Sequence, residues 1–305
     1  MKCIQIILLT GFLLSCNGSK SSTPVSAEDK TPVFKMITIP SLLTTPEERA
    51  KYLVEHYWDN FDYSDISFIS HPEIMEQALA DYLDVLPYVS VETANASLVN
   101  TMNKAAVDIS MYKHFLELYE KYLYEPNSPL MNEEFLIPVL ESVVNASVLN
   151  EADKIRPESL LQLILKNRVG AQAADFSFVL ENGQTQTLYR QNAEFVLLMF
   201  YNPGCHSCNE VLEHMRTSLG IQTFLANKKL KIVAVYPDED LTEWKSYLSR
   251  IPAEWINGYN KNATLKNEEV YDLKAIPSLY LLGKDKTVLL KDVTMQVIES
   301  YLGML

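Results

Sequence analysis

Two cysteines with two residues between them, Cys205-His206-Ser207-Cys208, are the residues of this 305-residue sequence best suited to chemistry. Placed on one helical turn, their sulfurs lie close enough to form and break a disulfide. The run before them, Phe195-Val-Leu-Leu-Met-Phe-Tyr201, reads as a strand buried on both faces. Asn202-Pro203-Gly204 ends it with turn chemistry. Val211, Leu212 and Met215 then recur at helical spacing. The pair therefore falls where a buried strand becomes a helix, with Cys205 at or near the helix N-terminus. Free backbone N–H groups and the positive end of the helix dipole stabilise a thiolate there. That is the arrangement thiol–disulfide exchange requires.

Zinc is the competing use of such a pair, and it needs four ligands. Only His206 and His214 lie nearby, and no second C-x-x-C exists in the sequence, so no metal is expected. No cofactor is expected either, because the two sulfurs carry the chemistry themselves. The remaining cysteines are Cys3 and Cys16. Lys2 followed by an apolar stretch to Leu14 reads as a secretory signal, too short to span a membrane. It ends in Leu13-Leu14-Ser15-Cys16, which resembles a bacterial lipobox. That resemblance implies cleavage before Cys16 and lipidation of Cys16. Residues 1–15 are then a signal peptide, and Cys205 and Cys208 are the thiols left free. Position 17 is Asn rather than Asp, so the inner-membrane retention signal is missing. The expected location is the outer membrane, facing the periplasm.

The elements that must position the pair follow from the rest of the chain. A net charge of −13, from 26 basic and 39 acidic residues, argues against nucleic acid and against electrostatic docking to anionic lipid. Residues 16–35 are polar and read as a flexible tether. Residues 36–167 read as an all-α domain of about six helices. Their signals include the N-cap and acidic first turn of Thr45-Pro46-Glu47-Glu48 and the opening His71-Pro72-Glu73. The last helix is expected over 157–167. Tyr57-Trp58-Asp59-Asn60-Phe61-Asp62 could be a ligand patch, and His56 or His71 metal ligands; packing is the stronger reading, since aromatics bury well.

From Gly170 onward, strands and helices alternate. A hairpin over 174–189 turns at Glu181-Asn182-Gly183-Gln184. A second buried strand covers 231–236, helices cover 242–248 and 263–273, and strands cover 278–282 and 286–290. Asp292 is the expected cap of a final helix over 293–302. Three features carry a family resemblance: Ala174-Asp175-Phe176 opening the first strand, the strand–Cys205-His206-Ser207-Cys208–helix unit, and Ala275-Ile276-Pro277-Ser278 before an apolar strand. Together they resemble the α/β thioredoxin-like fold of TlpA- and ResA-type thiol–disulfide oxidoreductases, over residues 170–305. The region from Met36 to about Lys166 resembles an uncharacterised helical domain that precedes thioredoxin-like domains in lipoproteins of gut Gram-negative bacteria.

The resemblance implies that Cys205 is the exposed nucleophile and Cys208 the resolving thiol. It implies that Pro277 is cis and abuts the pair, and that His206 and Ser207 modulate it. Substrates would be protein disulfides or thiols, served by a redox partner protein. The sequence also departs from the pattern. Pro203 stands where the family has Trp, and Met199 stands where thioredoxin buries an acid that assists the resolving thiol. A non-catalytic binding protein on the same fold is the alternative reading.

Overall fold

The structure, a computed structural model, describes residues 31–304. The expected signal peptide, Cys16 and most of the tether lie outside the described residues. Six α-helices make up the first domain: α1 (Pro46–His56), α2 (Pro72–Val85), α3 (Val91–Ala105), α4 (Ile109–Leu123), α5 (Glu133–Val144) and α6 (Glu151–Ile164). Local chemistry sets where they start. Thr45 and Glu48 form a reciprocal capping box at α1. Asp108 caps α4, Asn132 caps α5, and each accepts backbone N–H bonds from the first turn. The last helix begins at Glu151, not at the expected Pro157. Asn150 accepts the Asp153 N–H at 3.0 Å and starts it there. Pro157 sits inside the helix, buried.

Tyr57, Trp58 and Phe61 are buried in the core of this domain. Trp58 meets Phe115 edge-on at 5.2 Å between centroids. The aromatic stretch therefore holds helices together and forms no ligand patch. His56 pairs with Asp59 at 2.7 Å, and His71 bonds the Ser67 carbonyl through Nδ1 at 2.9 Å. Packing begins slightly before the expected boundary, because Phe34 stacks on Tyr57 at 5.6 Å.

The second domain is a seven-stranded mixed sheet in the order β2-β1-β5-β4-β3-β6-β7. Its strands are β1 (Ser177–Leu180), β2 (Thr185–Thr187), β3 (Phe195–Phe200), β4 (Leu230–Tyr236), β5 (Ile256–Tyr259), β6 (Ser278–Leu282) and β7 (Val288–Lys291). Its helices are α7 (His206–Thr217), α8 (Leu219–Ala226), α9 (Leu241–Tyr247), α10 (Thr264–Asn267) and α11 (Met295–Gly303). β3 pairs parallel with β4 and antiparallel with β6. All six residues of β3 are buried. Leu197 and Met199 pack on the face that carries Cys208, while Val196, Leu198 and Phe200 pack on the other. This is the expected pairing of an all-α domain with an α/β thioredoxin-like fold. No helix among the described residues is long and apolar enough to cross a membrane.

Four elements differ from expectation, the first being α8, which has no counterpart among the expected helices. β5 stands between β1 and β4, where Ile256-Asn-Gly-Tyr259 has the composition of a turn. Its Gly258 is required by close approach, since a Cβ there would lie 2.7 Å from the Phe178 ring. The helix expected over 263–273 shrinks to α10, preceded by Asn262 and Ala263 in left-handed conformation. Asp292 does not cap the last helix. Thr294 occupies that position, and Asp292 turns inward into a cluster of charges.

Candidate active site

α7 starts where the sheet ends, and Cys205 is its N-cap. Gly204 has φ +73°, which lets the chain turn sharply from β3 into the helix. The Cys205 sulfur accepts the Cys208 backbone N–H at 3.2 Å. The sulfur thereby satisfies one of the free N–H groups at the start of α7. Cys205 is partly exposed and Cys208 is fully buried, and both are free thiols. Burial, reinforced by the hydrogen bond with Cys205, pushes the Cys208 thiol up to about 12. The two sulfurs thus have different surroundings: one meets solvent, the Cys208 N–H and the Ile276 carbonyl, and the other faces an apolar core.

The Ile276–Pro277 bond is cis. Its loop lies against the pair, with the Cys205 sulfur 3.7 Å from the Ile276 carbonyl oxygen. Ser207 and Pro277 line the same cavity. His206 goes elsewhere. Its ring is 89% exposed and its Nε2 lies 3.3 Å from Glu210 Oε1, so it points to solvent with a helix neighbour and away from the sulfurs. Glu213 pairs with Arg216, likewise in solvent. Met199 is fully buried beside Cys208 in the same apolar cluster, so no carboxylate from that position reaches the thiol. Two tyrosines border the pair instead. Tyr201 donates to Asn257 Oδ1 at 2.9 Å, and Tyr247 donates to Asn209, whose Nδ2 in turn donates to the Cys205 carbonyl at 3.0 Å. Burial holds both phenols above their ordinary value.

A cluster of charges behind the Pro277 loop was not foreseen in the sequence. Glu133, at the first turn of α5, receives Lys274 and, at 2.6 Å, Lys291. Lys274 also lies 3.5 Å from Asp272 and 3.5 Å from Asp292. Tyr124 donates to Asp272 at 3.0 Å. The side chains of Lys274 and Lys291 are only 7% and 6% exposed. The cluster joins the two domains, and Lys274 stands three residues before Pro277 in the chain. Its only sequence signal is Lys291 and Asp292 closing an otherwise apolar strand. Burial drives the Asp292 carboxyl up to about 6, against the pull of both lysines. Glu133 is held below the usual carboxylate range, because Lys291 and Lys274 outweigh its burial. Among the described residues, no group of three or more His, Cys, Asp or Glu is arranged to hold a metal ion.

Sheet order, the C-x-x-C at the strand-to-helix turn and the proline loop against it define a thioredoxin-fold protein. The family described as "Thioredoxin-like" matches residues 192–288. A "Domain of unknown function (DUF5106)" matches residues 14–167. The chain belongs to the thioredoxin-like proteins that carry this helical domain. A crystal structure of a thioredoxin-like protein from Bacteroides caccae is 46% identical, with 90% of this chain and 99% of that one aligned and a TM-score of 0.87. The C-terminal domain of an uncharacterized protein from Bacteroides fragilis is 50% identical over 45% of this chain and 98% of its own, with a TM-score of 0.44. The thioredoxin domain of a thiol-disulfide oxidoreductase from Bacteroides vulgatus is 18% identical over 45% of this chain and 96% of its own, with a TM-score of 0.40. No curated protein matches the chain.

Proposed function

We propose that the chain is a thiol–disulfide oxidoreductase of the cell envelope, exchanging disulfides through Cys205 and Cys208. The observation that carries this reading is the difference between the two sulfurs. Cys205 is accessible and accepts a helix N-terminal N–H, while Cys208 is buried one turn on. In the reductive direction, the Cys205 thiolate attacks one sulfur of a substrate disulfide. The substrate S–S bond breaks and its second sulfur leaves as a thiolate. Cys208 then gives up its proton and attacks the Cys205 sulfur, releasing the first substrate sulfur. The proton ends on a substrate thiol. The substrate gains two electrons, and the chain is left with a Cys205–Cys208 disulfide that an external thiol reductant must reopen. The test is insulin reduction by the full chain with dithiothreitol as reductant. Turnover well above dithiothreitol alone is the expected result; a rate equal to dithiothreitol alone would favour the binding-protein reading.

His206 and Ser207 contribute differently in this reading. Ser207 borders the substrate groove, whereas the exposed His206 acts on the thiolate only through solvent. The location is proposed from the sequence: Cys16 is lipidated and anchors the mature chain in the outer membrane, facing the periplasm. The Leu13-Leu14-Ser15-Cys16 run motivates it. In fractionated cells, Cys16→Ser should leave the membrane fraction, and its recovery there in wild-type amount would count against the anchor.

A further inference from the structure

We propose that the helical domain is part of the substrate site: the groove beside Ser207 and Pro277 takes the extended, apolar, uncharged peptide flanking a substrate disulfide, and Met131 and Pro126 close its far wall. The inference rests on the exchange reading above and names the substrate class of that site. A cavity of about 360 Å³ opens between α7, the Pro277 loop and the start of α11. That size holds a short stretch of extended chain, not a folded surface. Val211, Leu279, Val293 and Met295 give it an apolar lining on the thioredoxin-like side. Pro126 and Met131, from the α4–α5 connection of the helical domain, complete it on the other. Cys205 does not itself line the groove, but its neighbours do: Ser207 on the same helix and Pro277 on the loop that the sulfur touches. Cys205 lies 3.7 Å from the Ile276 carbonyl, and the next residue, Pro277, lines the groove. A chain seated there presents its neighbouring residue to the thiolate.

Charge decides the class of peptide. The cations that line the groove are already paired. Lys274 is held by Glu133, Asp272 and Asp292, and His214 Nε2 lies 2.9 Å from Glu299. Glu210 and Asp292 add negative charge at its edge and floor. An anionic disulfide such as glutathione disulfide therefore finds no free cation among the lining residues, while an uncharged apolar peptide meets the side chains of Val211, Leu279, Val293, Met295 and Met131 between the polar groups Ser207, Ser278, Thr294 and Gln296. The helical domain thereby sets substrate choice, since without Met131 and Pro126 the groove is open to solvent on that side.

The test compares two small disulfides with the full chain under dithiothreitol: a symmetric disulfide of short leucine-flanked cysteine peptides, and glutathione disulfide. Wild type should turn over the peptide disulfide at least about tenfold faster by kcat/KM, on the premise that apolar contacts separate the two. Met131→Trp, which fills the groove without adding charge, should raise KM for the peptide disulfide at least about fivefold and by several times more than it raises that for glutathione disulfide. Met131→Ala should shift preference toward phenylalanine-flanked peptides. Met131 is only partly buried, so both variants should fold, and melting temperature checks it. Equal effects of Met131→Trp on both substrates, or none on either, would overturn the assignment while leaving exchange intact. Failure of wild type with both disulfides would overturn the exchange reading and this inference together.

Discussion

Cys205→Ser is expected to bring insulin reduction down to the rate of dithiothreitol alone, a loss on the order of a thousandfold, because the group that forms the covalent intermediate is gone. Cys208→Ser should behave differently. Cys205 keeps its helix N-terminus and its partial exposure, so the first attack proceeds. Resolution does not, and with insulin but no dithiothreitol present the reduced chain should accumulate as a mixed disulfide visible by non-reducing mass analysis. The asymmetry is the point of the comparison. A buried thiol pushed up to about 12 is a poor first nucleophile near neutral pH, and it becomes useful only when the mixed disulfide is held beside it. Met199 supplies no carboxylate to take its proton. Resolution should therefore be the slower half of the wild-type reaction. Trapping by Cys205→Ser in place of Cys208→Ser would reverse the assigned roles.

Glu133→Gln should cost about 3–5 kcal/mol of stability, the range for removing one partner from a buried ion cluster. Glu133 is the acid that both Lys274 and Lys291 contact, and both side chains are almost wholly buried. A fall in melting temperature on the order of 10 °C is expected; a change within about 2 °C would show that the cluster adds nothing. The same cluster sets a pH dependence of definite sign. The Asp292 carboxyl lies at about 6 in the folded chain against 3.8 for an ordinary Asp. Its contribution is fully present below 3.8 and is lost as pH rises through about 6. Protonated, it balances two lysines against Glu133 and Asp272; ionised, it leaves an excess acid in a buried site. Glu133, lowered, acts oppositely, and its contribution is lost as pH falls below 4.5. The melting temperature should therefore rise from pH 7 to about pH 5 and then fall. Asp292→Asn should abolish the rise and stabilise the chain at pH 7 by on the order of 2 kcal/mol. A wild-type melting temperature flat across that range would contradict the assignment.

The parts of the fold legible in the sequence were those with local signals. Seven apolar residues ending in Asn-Pro-Gly can be little other than a buried strand meeting a turn, and β3 and α7 follow from them. Thr45 announces a helix start through its own capping bond. What failed to show was long-range. Ile256-Asn-Gly-Tyr259 forms a strand only because β1 and β4 flank it on both sides, and Gly258 is chosen by a Phe178 ring distant in sequence. Asp292 looked like a cap because it precedes a helix. Its true partner, Lys274, is brought to it by the fold. The wall that Met131 and Pro126 add to the groove was illegible for the same reason. Nothing within either domain's sequence says how the two are joined. The pair itself was legible, whereas the direction of the His206 side chain was settled by its neighbour Glu210.

The most direct test of the central claim is a redox titration of the full chain against thiol–disulfide buffers of graded potential, with free thiols at Cys205 and Cys208 counted by alkylation and mass spectrometry. An exchanger should show a single two-electron transition in which both thiols disappear together, at a potential between those of strongly reducing and strongly oxidising thioredoxin-fold proteins, about −270 to −120 mV. Independent loss of the two thiols, or a pair that stays reduced across the whole range, would contradict it.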